Sequence, residues 1–136
     1  MSEKILMGSG RSLLALYFLL PGILKLVAWD NHIALMNKHG MVMVPVLLAA
    51  ASALQIAGGI SLLINRKVVW SALALAGLTV MININLHDFW NYTGTEAAHE
   101  QQNFVKNLAI LAGLLVLAGA NWKSRAVENE ILQTST

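Results

Sequence analysis

Cysteine is absent from this chain. That excludes disulfide relay chemistry, thiolate metal sites and cysteine nucleophiles. It also closes any route that would carry electrons from thiols to a quinone through cysteine pairs of the chain itself. Charge is scarce as well: Asp, Glu, Lys and Arg make up 12% of the 136 residues, against 57% hydrophobic residues. A soluble domain carries roughly a quarter charged residues. So little charge cannot cover a water-facing surface, and lipid must be the solvent for most of the chain. The formal net charge is only +2, with basic residues in ones and twos. Nucleic-acid binding needs a clustered basic face, so no nucleic-acid partner is expected. Proline occurs twice, as Pro21 inside the first apolar run and Pro45 near the start of the second. A proline inside a membrane span is tolerated where neighbouring helices cover the freed carbonyl, and one at a helix start costs little. There is no internal repeat and no low-complexity tract.

What the sequence does contain is four long apolar runs, at residues 12–29, 41–64, 68–86 and 103–120. At ~1.5 Å per helical residue, runs of this length cross or nearly cross a ~30 Å hydrocarbon core. The fold class expected is therefore all-α. It is a single domain over residues 1–136, a membrane-spanning four-helix bundle with a short interfacial helix between spans 1 and 2. The first run is read as a retained span and not as a signal peptide. It continues into Pro21-Gly22 and Lys25 without a clear small-x-small cleavage site. Arg11 and Trp29 bracket it as interfacial anchors. The polar stretch from Asp30 to Gly40 holds Ile33, Leu35 and Met36. It is expected to lie on the membrane surface as a turn or two of helix, capped by Asp30 or Asn31 and ended by Gly40.

The second run is crowded with small residues, among them Ala49, Ala53, Ala57, Gly58 and Gly59, with Gln55 as its one buried amide. Small side chains let helix backbones approach in lipid. Asn65-Arg66-Lys67 is a tight basic turn that makes the third run the antiparallel neighbour of the second. Thr93-x-x-Glu96 fits a capping box, so the last helix should start near Gly94 and stand out of the membrane before its apolar part. The tail from Asn121 is expected to fray. Four spans put Lys4, Arg11, Arg66, Lys67, Lys123 and Arg125 on one side, and Lys38, Asp30, Asp88, Glu96 and Glu100 on the other. The positive-inside rule then places both termini in the cytoplasm.

The polar residues near the outer ends of the runs carry the functional reading. Lys25 lies fourteen residues from Arg11, about 21 Å along an ideal helix, near the outer edge of the hydrocarbon. Asn83 and His87 share a helical face, as do Asn103, Lys106 and Asn107. The expected ligand-binding residues are Lys25, Asn83, His87, Asp88, Trp90, Lys106 and Asn107, converging in one pocket in the outer third of the bilayer. Lys106 is expected as its central cation, Asp88 as the counter-charge and Trp90 as a wall or lid, because a shared site relieves the cost of cations buried separately. Each residue also has a plainer reading. Lys25 can snorkel to the interface. Lys106 with Asp88, and Asn107 with Asn83, can simply lock the bundle through interhelical hydrogen bonds averaging ~0.6 kcal/mol. His87-Asp88 can handle protons, or can sit in an aromatic belt with Phe89, Trp90 and Tyr92. His32, His39, His87 and His99 all fall on the outer side, but nothing in their spacing forces a metal site. No metal is expected, no catalytic residue is identified, and whether the chain is an enzyme is left open.

A further reading comes from motif order. Gly10-Arg11 opens a Leu-rich span that ends in Pro-Gly-x-x-Lys-Leu at Pro21–Leu26. A Gly40 turn, a Val44-Pro45 start and Gly58-Gly59 follow. His87-Asp88-Phe89-Trp90 comes next, and then Gln102-Asn103-Phe104-Val105-Lys106-Asn107-Leu108-Ala109. From Gly10 to Asn121 this resembles the DoxX family of small bacterial inner-membrane proteins. One departure is Ala112-Gly113, where the family often shows paired glycines. The resemblance implies a four-helix membrane bundle in the bacterial inner membrane and a link to quinone- or sulfur-linked redox systems, as a subunit or accessory. It supplies no catalytic residues. A bound quinone is the one cofactor it leaves room for. Besides the lipid bilayer, the partners it allows are membrane or periplasmic redox proteins and further copies of the chain. The alternatives are a small-solute binding or transport protein, or a structural membrane scaffold with no chemistry of its own.

Overall fold

The computed structural model describes residues 2–135, with side chains at all of these except 124 and 125. Five α-helices follow one another: α1 Glu3–Val27, α2 Trp29–Lys38, α3 Val44–Leu63, α4 Val68–Leu86 and α5 Gly94–Thr134. A single 3-10 turn, Phe89–Asn91, links α4 to α5, and no strand occurs among the described residues. Four of the helices, α1, α3, α4 and α5, are long and apolar enough to cross a membrane. In lipid each unpaired backbone group costs several kcal/mol, so a spanning segment satisfies its own hydrogen bonds as a helix. The fold is the all-α bundle expected, with α2 as the short helix between the first two spans.

Turn chemistry sets the helix ends. Ser2 caps α1, its hydroxyl accepting from Ile5 N at 3.3 Å. Gly40 ends α2 at φ +70°, with Gly40 N bonded to Asn37 O at 3.0 Å and Met41 N to Met36 O at 3.3 Å. This pair of bonds is a Schellman motif. Asn65 does the same for α3 at φ 59°, through Asn65 N to Leu62 O (3.2 Å) and Arg66 N to Ser61 O (2.9 Å). Asn tolerates the left-handed region better than most residues, which accounts for its place in the tight turn. Asp30 and Asn31 do not cap α2. The α1 hydrogen-bond ladder runs on to Ala28, whose N–H bonds Leu24 O at 2.8 Å, and both residues fall inside the first turn of α2.

The spanning helices pack α1 on α3, α3 on α4 and α4 on α5, while α1 meets α5 only thinly. Ala15, Phe18, Leu62, Ala72, Leu75 and Leu114 form the central core. Gly58 and Gly59 point to different neighbours: a Cβ on Gly58 would meet Leu75 of α4 at 2.9 Å, and one on Gly59 would meet Ala15 O of α1 at 3.0 Å. Arg11 is more than an interfacial anchor. Its Nη1 donates to Leu62 O (2.6 Å) and Leu63 O (3.3 Å) among the carbonyls at the end of α3, Leu62 O also accepting from Asn65 N. Leu13, Val27, Val46 and Val116 stay exposed on the outside of the bundle, where lipid replaces water.

One expectation fails at α5. The capping box does not form: Thr93 occupies the N-cap position, but its side chain makes no capping bond. Glu96 instead takes Lys38 Nζ at 3.1 Å. Beyond Asn121 the chain continues as helix, α5 running on to Thr134. No proline or glycine follows Gly119, so nothing in the local chemistry stops a helix already nucleated in the membrane.

Candidate functional site

Three polar side chains tie α1, α4 and α5 together inside the bundle. Asn107 Nδ2 donates to Asn83 Oδ1 at 2.9 Å, Tyr17 Oη donates to Asn107 Oδ1 at 2.7 Å, and Asn83 Nδ2 donates to Phe104 O at 3.1 Å. Both asparagines are buried. Asn83 lies on the α4 face that buries Ala72, Ala76 and Thr79, and Asn107 on the α5 face that buries Leu114 and Ala118, so burying those faces carries the amides inward, where they satisfy one another.

Beside this network lies a cavity of about 620 Å³. From α1 it is lined by Tyr17, Phe18, Pro21 and Lys25, and from α3 by Gln55. From α4 it takes Thr79, Ile82 and His87, and from α5 Asn103, Lys106, Asn107 and Ile110. Thr79 and His87 are eight residues apart, so the cavity extends about 12 Å along α4. Lys25 is half-buried, whereas Lys106 is exposed. No Asp or Glu lines the cavity. Among the described residues, neither lysine has an ion-pair or hydrogen-bond partner. Gln55 is only 4% exposed, and its Oε1 has no hydrogen-bond partner. Ser52 Oγ, about one turn away on α3, is also buried without one. Thr79 is satisfied, since its hydroxyl donates to Leu75 O at 2.8 Å.

The cavity thus gathers Lys25, His87, Lys106 and Asn107, and Asn83 supports it through Asn107. Asp88 and Trp90 lie elsewhere. Asp88 is not the counter-charge of Lys106: its Oδ1 pairs with His39 Nδ1 at 3.0 Å and its Oδ2 accepts from Asn91 Nδ2 at 2.7 Å. Because α4 ends at Leu86, the chain turns at His87 and presents Asp88 to the end of α2 instead of to α5. Trp90 is no lid. It stacks edge-on with Phe89 and Phe104 and remains 55% exposed, the posture of an interfacial belt residue.

The sequence reading missed Glu100 and Tyr17. Glu100 Oε2 holds His87 Nδ1 at 2.7 Å, fixing the ring from α5. Tyr17, a phenol in the middle of a Leu-rich span, was the available sign of the α1–α5 bridge. Gln55 stood out as a buried amide, but its lack of a partner depends on what α1 and α4 bring to it. At the rim, Glu96 holds the Lys38 ammonium above its ordinary pKa through their hydrogen bond and charge attraction. No three His, Asp or Glu side chains among the described residues are grouped to hold a metal ion.

Four apolar helices with lipid-facing exteriors define a polytopic membrane protein in contact with the bilayer. Residues 6–88, more than half of the chain, match the model of the DoxX family, and the chain belongs to that family. The match ends at Asp88, so α5 with its Asn103–Asn107 segment lies outside it. No curated protein sequence and no solved structure matches the chain.

Proposed function

We propose that the cavity between α1 and α5 is a ligand site, and that the protein serves as a membrane subunit or accessory of a quinone- or sulfur-linked redox system. The observation that carries this reading is the set of unspent polar groups in one cavity: two lysines without counter-charge and a buried glutamine oxygen without a donor. A purely structural network satisfies its own members, as Tyr17, Asn107 and Asn83 do. A buried polar atom without a partner, as Gln55 Oε1 is, costs free energy, and a bound ligand supplies what it lacks.

A quinone head meets part of this set, bringing acceptors but no donor for Gln55 Oε1. Its carbonyls accept from Lys106 Nζ or the Gln55 amide, Phe18, Ile82 and Ile110 offer apolar walls, and the volume lies in the ordinary range for a small-molecule site. A quinone would supply the two-electron chemistry. This chain, lacking cysteine, binds and orients the head and leaves electron transfer to a partner protein. A small anion is the other ligand these cations suit. The basic-residue count orients the bundle with both termini in the cytoplasm of a bacterial inner-membrane arrangement and the cavity in its outer half.

The test is a ligand-dependent thermal shift of the purified protein in detergent, screening short-chain quinones, thiosulfate and sulfite. At least one compound should raise the melting temperature, and Lys106→Met should abolish that rise. If no compound shifts the melt, or if Lys106→Met responds as the wild type does, the ligand-site reading falls. A second reading, solute transport, draws on the thin contact between α1 and α5. Ligand-driven flux in proteoliposomes would favour it.

A further inference from the structure

We infer that the ligand is an anionic amphiphile whose phosphate-type head carries a free hydroxyl, and that it reaches the cavity sideways from the lipid through the seam between α1 and α5. This inference rests on the ligand-site reading above and narrows it to one chemical class.

Charge is the first argument. Lys25 and Lys106 stand on opposite sides of the seam, they line the same cavity, and no carboxylate joins them there. Two uncompensated cations at the edge of a low-dielectric medium favour an anionic head over a neutral one. A phosphate has enough oxygens to accept from both ammonium groups at once.

Depth is the second. Lys25 lies two residues before the end of α1 and His87 is the C-cap of α4. Both therefore sit near the level where the span ends and lipid phosphates begin. An anion held there keeps its own charge at the interface while its chain stays in hydrocarbon.

The third argument is the seam. Every sequential pair of spanning helices is closed by broad packing except that α1 and α5, which would complete the ring, touch only thinly. The single hydrogen bond between them among the described residues is Tyr17 to Asn107. Tyr17 lies eight residues further into the membrane than Lys25 on α1, about 12 Å. On α5 the bond falls one residue from Lys106, so it ties the seam at that level and leaves the stretch nearer Lys25 without a polar tie.

Gln55 calls for the hydroxyl on the ligand. A Cβ on Gly22 would come within 2.9 Å of Gln55 Cβ, which sets Gln55 at the level of Gly22, about one turn below Lys25. Its buried Oε1 is an acceptor and needs a donor. A phosphodiester, a sulfur oxyanion and an oxidised quinone offer none, whereas a hydroxyl on the head offers one.

The experiment measures the thermal shift of the full chain in detergent with added phosphatidylglycerol, phosphatidylmethanol, phosphatidylcholine or free glycerol phosphate. Phosphatidylmethanol keeps the negative charge and the chains but lacks the hydroxyl. Phosphatidylglycerol should give the largest rise, phosphatidylmethanol a smaller one, and phosphatidylcholine none. The double variant Lys25→Met/Lys106→Met should abolish the rise whatever its own melting temperature. Gln55→Leu should bind phosphatidylglycerol about tenfold more weakly, the equivalent of one good hydrogen bond, and no better than phosphatidylmethanol. If the double variant does not fold, Gln55→Leu and native mass spectrometry of co-purified lipid decide the matter.

Equal shifts with phosphatidylcholine and phosphatidylglycerol overturn the inference, as does a rise that survives in the double variant. Equal shifts with free glycerol phosphate overturn lateral access. If a quinone stabilises through Lys106 while phosphatidylglycerol does not, the ligand site stands and this inference falls. If nothing stabilises, both fall.

Discussion

Replacing Gly59 by alanine tests the packing that holds the cavity wall in place. The added Cβ would lie 3.0 Å from Ala15 O, 3.1 Å from Leu19 Cβ and 3.2 Å from Leu19 N, where ordinary contact begins at 3.4 Å. Two of these three atoms are backbone, so no side chain can swing aside to make room. The helices must separate by a few tenths of an ångström, and α1–α3 is the most extensive interface in the bundle. Overpacking of this kind costs about 1–3 kcal/mol, or roughly one to two decades in the folding equilibrium. Gly77→Ala is the control, because a Cβ there meets nothing within 4 Å. It should leave stability unchanged or slightly raised, since alanine has the better helix propensity. Unfolding by dodecyl sulfate in mixed micelles, followed through the fluorescence of the four tryptophans, measures both variants. Identical unfolding curves for Gly59→Ala and Gly77→Ala would refute the close α1–α3 approach.

Asn107→Leu removes the partner shared by Tyr17 and Asn83 and strands Asn83 Oδ1 in the core. The expected loss in the same assay is about 1–3 kcal/mol, the cost of an unsatisfied buried group, and a change near zero would show that the network is dispensable. Topology is tested by single cysteines in this cysteine-free chain, placed at positions 40, 66, 95 and 130. An impermeant maleimide should label 40 and 95 from outside and reach 66 and 130 only in permeabilised cells, and outward labelling of 66 would reverse the orientation.

The sequence by itself determined the helices and their number, for a reason that lies in the solvent. Lipid offers the backbone no hydrogen bonds, so each long apolar run has to be a helix, although α1 and α5 extend past their runs to Glu3 and Thr134. Turn residues were legible on the same local terms: Gly40 and Asn65 sit where the left-handed region is needed. The small residues of α3 announced close helix contact, although which glycine faces α1 and which faces α4 emerged only from the packed bundle. Near the site, shared helical faces were enough to bring Asn83, His87, Lys106 and Asn107 together on α4 and α5.

Of the pairings between distant segments, Asn107 with Asn83 was legible from shared helical faces, and tertiary structure decided the others. Asp88 looked like the natural partner of Lys106 because it is the acid closest to the end of α4. Its carboxylate instead goes to His39, because the 3-10 turn after α4 aims it at α2. Glu96 had a local use as a capping box and a distant one with Lys38, and the distant one won. Gln55 is the clearest case. Its type and place in a span were visible along the chain, but a missing partner is a property of all the atoms around it, and those come from four helices. A linear pattern records which face a side chain takes; what meets that face depends on how the helices assemble.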